Sequence, residues 1–260
     1  MLWGLDEIGL LFGAVVVFLA VLEVGFRLGR RQRDASDDTA RTHVGALQAA
    51  LLGLLALLLG FSFAMAASRF DTRKALIQEE VNAIGTTYLR AQLLPSPQRQ
   101  AVTALLRTYV TARIAFLQAG MDKALLDAAS ADASRIETQL WKLTAAIATQ
   151  DPGGMATGWF LPPLNEMIDL NEKRRAALDN HVPELVIYLL CTVAVGALGF
   201  IAYGYGLTGR RRHASTAIFA LMIALVLTTI VDLDQPRSGL IRVGEESMLR
   251  LKTTLDQSTP

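Results

Sequence analysis

The sequence has little of what most catalytic and metal centres require. It contains a single cysteine, Cys191, within an apolar run, so no disulfide can form inside the chain. Its three histidines are far apart in sequence, which argues against a histidine-built metal or catalytic centre. A phosphate-binding glycine loop with lysine, a G-x-S-x-G turn, an H-E-x-x-H helix and a cysteine pair are all missing. We therefore expect a protein that is not an enzyme and that needs no cofactor.

An excess of charge of one sign is also lacking, since 25 Lys and Arg residues face 24 Asp and Glu residues. A nucleic-acid partner would require a basic face with aromatic platforms, and the sequence contains no such pattern. Apolar residues are what the chain has in excess. They make up 52% of it, and the mean hydropathy of +0.35 is too high for an ordinary soluble domain.

Four apolar segments reach the length of roughly 20 residues that a membrane-spanning helix needs. They cover about Ile8–Leu22 with an extension through Phe26, then Val44–Ala67, Leu185–Leu207 and Ala214–Val231. Because no basic segment precedes the first and no cleavage site follows it, we expect a retained span rather than a signal peptide. Short connections join the first span to the second and the third to the fourth, which predicts two helical hairpins.

The resulting prediction is an all-α membrane protein with four transmembrane helices. Its parts are a first hairpin at 5–67, an extramembrane helical insert at 68–182, a second hairpin at 183–231 and a C-terminal tail at 232–260. Within the insert, a heptad pattern of apolar residues predicts a helix from Leu126 to Ile147. The stretch DPGGMATGWFLPP is rich in turn formers and is predicted to be an irregular connection. After Pro163 the helical pattern resumes and is expected to continue into the third span with a kink at Pro183.

The second span is predicted to continue as one helix into the insert until Pro95 and Pro97. One series of positions, spaced alternately by four and three residues (a 4,3 rhythm), crosses the membrane boundary, and all of its members except Lys74 are small or apolar. The positions are Ala49, Gly53, Ala56, Gly60, Phe63, Ala67, Phe70, Lys74, Ile77, Val81, Ile84, Tyr88 and Ala91. The small members Ala49, Ala56, Gly60 and Ala67 would permit close approach to another helix. Two interpretations stay open: this seam packs within the chain's own four-helix bundle, or it packs between the subunits of a ring.

Two motifs resemble the bestrophins. LGFSFAMAASRFDTRKALIQEEVN is similar to their second membrane segment, and VDLDQPRSG is similar to the stretch that follows their last span. The chain is more closely similar to the bestrophin-like membrane proteins of bacteria, through SRFDTRKALIQEEVNAIGTTYLRAQLLP, NEMIDLNEKR and DLDQPRSGLI. That closer resemblance extends over nearly the whole chain.

The resemblance implies a homo-oligomeric anion channel, pentameric as in bestrophins, with inorganic anions as its ions. It implies a neck formed by the second span, at Gly53, Leu57 and Phe61, where Gly53 departs from the large apolar type. A ring of such side chains could gate conduction by dewetting. The competing interpretation is that Leu57 and Phe61 face lipid.

Bestrophins also hold calcium at an acidic cluster after the last span. Here that cluster is reduced to Asp232 and Asp234, with Glu245 and Glu246 further along. Calcium takes six to eight oxygen ligands, so we expect no metal site, and we interpret Asp232 and Asp234 as interfacial residues that end the fourth span. Three cations where the insert meets the membrane, Arg69, Arg73 and Lys74, are candidates for an anion-concentrating vestibule. The alternative for these cations, and for Lys173, Arg174 and Arg175 of NEKRR, is contact with lipid headgroups and salt bridges with Asp71, Glu79, Glu80 and Glu172.

The orientation in a bacterial inner membrane is predicted differently by two criteria. The connections between spans hold eight arginines: Arg27, Arg30, Arg31, Arg33, Arg41, Arg210, Arg211 and Arg212. The positive-inside rule places them in the cytoplasm, with the insert and both termini outside. The bestrophin resemblance implies the reverse, and we prefer the charge rule because it acts on this chain's own insertion.

Two functions therefore remain after the sequence is read. The first is an oligomeric ion channel with the second span lining the pore. The second is a non-conducting membrane scaffold or sensor whose insert binds a partner through the heptad seam of Leu126–Ile147 or the loop before Pro163.

Overall fold

The structure is a computed structural model that describes residues 7–150, 154–209, 212–235 and 244–258. Arg210, Arg211 and the motif residues 236–241 lie outside the described part. Within it every regular element is helical, which confirms the all-α class. The α-helices are α1 Glu7–Arg31, α2 Asp38–Ala91, α3 Gln98–Gln118, α4 Lys123–Gln150, α5 Met155–Asp179, α6 Glu184–Thr208, α7 His213–Asp234 and α8 Glu246–Gln257.

Four helical stretches of the described residues are long and apolar enough to cross a membrane. They are Ile8–Arg31, Asp38–Ala91, Gly158–Thr208 and His213–Asp234. The chain is therefore a multi-pass helical membrane protein. The third stretch is interrupted at residues 180–183, where α5 has ended and α6 has not begun.

The chain folds into two compact units. The transmembrane unit contains the residues up to Arg69 together with His181–Gln235, and the insert unit contains Phe70–Asn180 and the C-terminal helix α8. The predicted tail is thus in part a helix whose Met248 and Leu255 are buried in the core of the insert unit.

Helix α1 packs most closely against α6 in the transmembrane unit. A Cβ atom at Gly25 would lie 2.5 Å from the carbonyl oxygen of Gly199, and Gly29 lies against Tyr203 and Gly206. Small residues on both helices allow this approach, as in other membrane helix pairs. The sequence analysis missed the pair, although the spacing of Gly25 and Gly29 in GFRLG is a known signal for it. Pairing of successive spans as hairpins stays a prediction.

Helix α2 runs for 54 residues without a break at the end of its apolar part. Continuity between the insert and the third span was predicted too, and this was wrong. Helix α5 ends at Asp179, and α6 starts after Pro183. The backbone N–H of Val182 in this gap donates to the Asp234 carboxylate at 3.0 Å, so the non-helical backbone has a partner.

Helix α5 begins at Met155, so the predicted irregular connection was wrong for residues 155–163, while its residues 151–153 lie outside the described part. Pro162 and Pro163 lie inside this helix. Because Pro163 has no N–H, it cannot bond the carbonyl of Trp159 four residues earlier. The Arg90 guanidinium donates to that carbonyl at 2.9 Å instead, which compensates for the missing helical bond.

The core of the insert unit is built from one face of each of its helices. Buried members include Ile84, Leu106, Tyr109, Ile136, Leu140, Phe160, Leu164, Met167 and Leu170. The heptad seam of α4 lies in this core, with Ala133 and Leu140 fully buried. The seam therefore packs against the chain itself.

Candidate functional site

The proposed neck residues lie on a face of α2 that points away from its own chain. Leu57 is 56% exposed and Phe61 is 68% exposed, and Gly53 is exposed as well. Their spacing of four residues places them along one side of the helix. The side chains that α2 buries in the transmembrane unit are Leu55, Ser62 and Ala66, on the opposite side. An apolar face of this kind must be covered by lipid or by another protein surface.

The predicted small-residue seam is also directed outward in the single chain. Ala49, Ala56 and Gly60 are exposed and Ala67 is half-buried, whereas Ile77, Ile84, Tyr88 and Ala91 of the same 4,3 rhythm are buried. The reason is that a repeat of 3.5 residues drifts by about 20° per heptad on a straight helix of 3.6 residues per turn. Over roughly six heptads the rhythm rotates by about 120°, from the outer face to the core.

Gly53 and Gly60, in the membrane part of α2, have no packing role among the described residues. A Cβ atom at Gly53 or Gly60 would meet no atom of the described residues within 4 Å, in contrast to Gly25, Gly29 and Gly206. A helical glycine costs about 1 kcal/mol relative to alanine. Nothing in the chain's own packing offsets that cost, so packing within its own bundle does not account for these two glycines.

The three vestibule candidates have different surroundings. Arg73 is buried at 4% exposure, and its guanidinium donates to the carbonyls of Ala177 and Asn180 at 3.1 and 3.0 Å. It thereby satisfies carbonyls at the end of α5, where a cation is favourable. Arg69 lies 3.9 Å from the Asp234 carboxylate, and Lys74 is exposed. Lys74 is thus the one of the three that is open to solvent.

Asp234, the last residue of α7, contacts the residues that precede α6 in the transmembrane unit. Its carboxylate is 1% exposed, accepts the Val182 N–H and lies 3.4 Å from Nδ1 of His181. Asp232 is buried as well, and α7 ends at Asp234 as expected. Among the described residues, no three carboxylate, histidine or cysteine side chains form a group that could hold a metal ion. The contacts of Asp234 therefore link the end of α7 to the segment just before α6.

The insert unit contains a buried charge cluster. The sequence analysis considered salt bridges between the boundary cations and Glu80, but it missed the burial of Glu80 and the part played by Arg113. Glu80 is fully buried, and its two carboxylate oxygens accept from Arg113 Nε at 2.6 Å and from Arg174 Nη1. Arg113 also stacks over the Phe116 ring at 4.9 Å, and its Nη2 has no hydrogen-bond partner in the described part of the chain. A signal existed: Glu80 stands between Ile77 and Ile84 at spacings of three and four, on the buried face of α2.

A second carboxylate lies at the edge of this cluster. Oε1 of Glu137 accepts from the Tyr109 hydroxyl at 2.9 Å and from Asn171 Nδ2 at 2.8 Å. Burial raises the pKa of the Glu137 carboxyl above its ordinary value, although these two hydrogen bonds act in the opposite direction. Burial raises the pKa of Tyr109 well above its ordinary value too, so its hydroxyl stays a donor.

The raised pKa of Glu137 predicts a pH-dependent stability. The folded state holds the proton of Glu137 more tightly than the unfolded state does. The stabilisation that protonated Glu137 gives the fold is therefore fully present below the unfolded pKa of about 4.3. It is lost as pH rises through the folded pKa. Glu137→Gln keeps the acceptor oxygen and is expected to flatten this decline. The measurement is urea unfolding between pH 4 and pH 7, followed by tryptophan fluorescence.

Asp127→Asn changes an exposed carboxyl on the same helix and serves as the control. If the free energy of unfolding changed with pH by the same slope in both variants, the prediction would be contradicted.

Comparison with known proteins places this architecture in a family. The sequence matches the Bestrophin-like domain over residues 12–248. None of the curated proteins matches this chain.

Solved structures of similar fold include a bacterial bestrophin homologue from Klebsiella pneumoniae. That crystal structure, obtained by Zn-SAD phasing, is 14% identical, has a TM-score of 0.65 and is covered over 97% of its length by 92% of this chain. Two single-substitution variants of the homologue give TM-scores of 0.69 and 0.68 at 13% and 14% identity, each over 95% of this chain and over 97% and 98% of theirs. At this identity the likeness shows the fold, and the domain match over most of the chain shows the family. The chain belongs to the bestrophin-like family.

Proposed function

We propose that the protein is an oligomeric ion channel, selective for anions, in which the membrane part of α2 lines the pore. The observation that carries the proposal is the apolar face of Gly53, Leu57 and Phe61, which the chain leaves exposed opposite its own packing face. A ring of subunits would bring copies of this face together around an axis and form a hydrophobic constriction that gates by dewetting. The bestrophin resemblance implies the same span for this role and five subunits.

The seam of small residues supports the oligomeric part of this proposal. Gly60 and its neighbours Ala49 and Ala56 are exposed on the single chain, and a helix from an adjacent subunit could approach them closely. Lys74 is the exposed cation beyond the span and would raise the local concentration of anions. We orient the short arginine-rich connections towards the cytoplasm, with the insert and both termini outside, according to the charge rule.

The competing scaffold function loses one of the two surfaces that were proposed for it. The heptad seam of α4 is buried in the chain's own core, and the residues before Pro163 form part of α5. A partner of the insert would have to bind the start of α5 near Trp159, which is 55% exposed, or another surface.

Anion flux through liposomes that contain the purified protein tests the proposal. Leu57→Ala and Phe61→Ala are expected to raise the flux or to change ion selectivity, because each removes apolar bulk from the constriction. Ile218→Ala is the matched control, since Ile218 is 59% exposed on α7, which is not the proposed pore helix. It is expected to conduct like the unsubstituted protein.

Two outcomes would count against a channel. One is that correctly inserted protein and both α2 variants stay silent under varied voltage and pH. The other is a mass in detergent that corresponds to a monomer, because a single chain cannot surround an axis with this face.

A further inference from the structure

The transmembrane unit contains a cavity that the channel proposal does not use. Its volume is about 820 Å³, within the range of about 300–1,000 Å³ that ligand pockets occupy. The walls come from α1, α2, α6 and α7 and from the connection that follows α1. The cavity therefore lies among all four spans, at the end of the unit where the short connections are.

The charged side chains that line the cavity are all positive and lie at one end of it. Three arginines, Arg33, Arg41 and Arg212, line it at the level of the connections. No Asp or Glu is among the described residues that line it. Arg41 forms a salt bridge of 3.2 Å with Asp38, which lies outside the cavity and is 98% exposed to solvent. An exposed pair of this kind contributes little and leaves the guanidinium able to bind another anion.

Further into the cavity, the arginines are followed first by polar side chains and then by apolar ones. Thr208, Ser215 and Thr216 lie next to the arginines in sequence, and Leu52 and Leu198 line the far part. Leu52 is eleven residues beyond Arg41, and Leu198 is ten residues before Thr208. At 1.5 Å per residue the apolar wall therefore extends about 15 Å into the span.

We infer that this cavity is a binding site for an anionic phospholipid. The guanidinium groups would hold the phosphate through charge-assisted, bidentate hydrogen bonds. The hydroxyl groups lie at the level of the ester groups, and an acyl chain lies along the leucines. Basic pockets between transmembrane helices recognise anionic lipid headgroups in this way. A free inorganic anion would leave the apolar part uncovered, which is why the site is assigned to a lipid.

The test uses the delipidated full-length protein, with lipid binding followed by native mass spectrometry. Phosphatidylglycerol is the probe, and phosphatidylcholine is the neutral comparison. The triple variant Arg33→Gln, Arg41→Gln, Arg212→Gln is expected to bind phosphatidylglycerol at least about tenfold more weakly, since each arginine near the membrane surface strengthens the binding of anionic lipid. Leu52→Trp fills the apolar part and is expected to weaken binding of both lipids.

A matched triple variant separates the site from general charge. Arg27→Gln, Arg30→Gln, Arg31→Gln removes three cations at the end of α1 that do not line the cavity. It is expected to keep phosphatidylglycerol binding within about twofold. Circular dichroism confirms that each variant retains its helical content before binding is compared.

Three results would overturn the assignment. Equal losses in the two triple variants would mean that surface charge alone attracts the lipid. Displacement of the lipid by an excess of inorganic phosphate would mean a simple anion site. Cross-linking of a Leu52→Cys variant to a second copy of the chain would mean that a neighbouring subunit fills the cavity.

Discussion

Glu80→Gln is expected to lower the free energy of unfolding of the insert unit by about 3–5 kcal/mol, because it leaves two buried arginines without their shared carboxylate. Arg113 and Arg174 are 1% and 4% exposed, so water cannot replace the lost charge. A glutamine retains one acceptor oxygen but cannot neutralise either guanidinium. The cost therefore belongs to two unpaired charges held in the core.

Urea unfolding of the full chain, followed by tryptophan fluorescence, measures this loss. Trp141 and Trp159 both belong to the insert unit and report its unfolding. Glu79→Gln is the control, since the adjacent Glu79 is exposed and its substitution removes the same charge. Its effect is expected to stay within about 0.5 kcal/mol.

A second substitution distinguishes paired charge from simple packing. Arg113→Met added to Glu80→Gln is expected to recover part of the lost stability, because apolar replacement of a buried ion pair is often neutral. The cluster would be irrelevant to stability if Glu80→Gln and Glu79→Gln unfolded at the same urea concentration.

Gly29→Ala is expected to destabilise the packing of α1 on α6 by about 1–3 kcal/mol, the usual cost of overpacking. A Cβ atom there would lie 2.9 Å from the carbonyl carbon of Tyr203 and 3.1 Å from Cα of Gly206. Both are backbone atoms of α6, so relief requires movement of a helix rather than rotation of a side chain.

Thermal unfolding of the purified protein in mild detergent measures this effect, with Gly13→Ala as the control. Gly13 lies in the same helix, and a Cβ atom there would meet no atom within 4 Å. Its substitution is expected to be neutral or stabilising, since alanine is the better helix former. Equal midpoints for the two variants would contradict the close α1–α6 approach.

Local sequence patterns predicted the parts of the fold that depend on one helix at a time. Uncharged apolar runs such as Val44–Ala67 identified the spans. Uninterrupted helical rhythm identified the continuity of α2, and the heptad pattern around Ile136 identified α4. These signals succeed because helix formation and amphipathicity are properties of neighbouring residues.

Features that depend on distant partners could not be read in the same way. The Glu80 cluster joins residues 33 and 94 positions away, and Arg90 compensates Pro163 through the carbonyl of Trp159 across 69 positions. The 4,3 rhythm of α2 was treated as one face because its drift is small per turn. Only the accumulated rotation separates the exposed Ala56 from the buried Ile84.

The neck residues show the limit most clearly. The sequence indicated that Gly53, Leu57 and Phe61 share one side of a helix, and the structure places that side away from the chain's own core. What covers it depends on other molecules, and no local pattern carries that information.

The tight contact between α1 and α6 has a consequence for biogenesis. Gly29 and Gly206 are 177 positions apart, a length that a ribosome needs roughly 9–35 s to add at about 5–20 residues per second. During that interval α1 resides in the bilayer without its closest partner, so its glycine face is exposed to lipid. The first span must therefore persist as an independent helix, and assembly of the membrane bundle is a late event of synthesis.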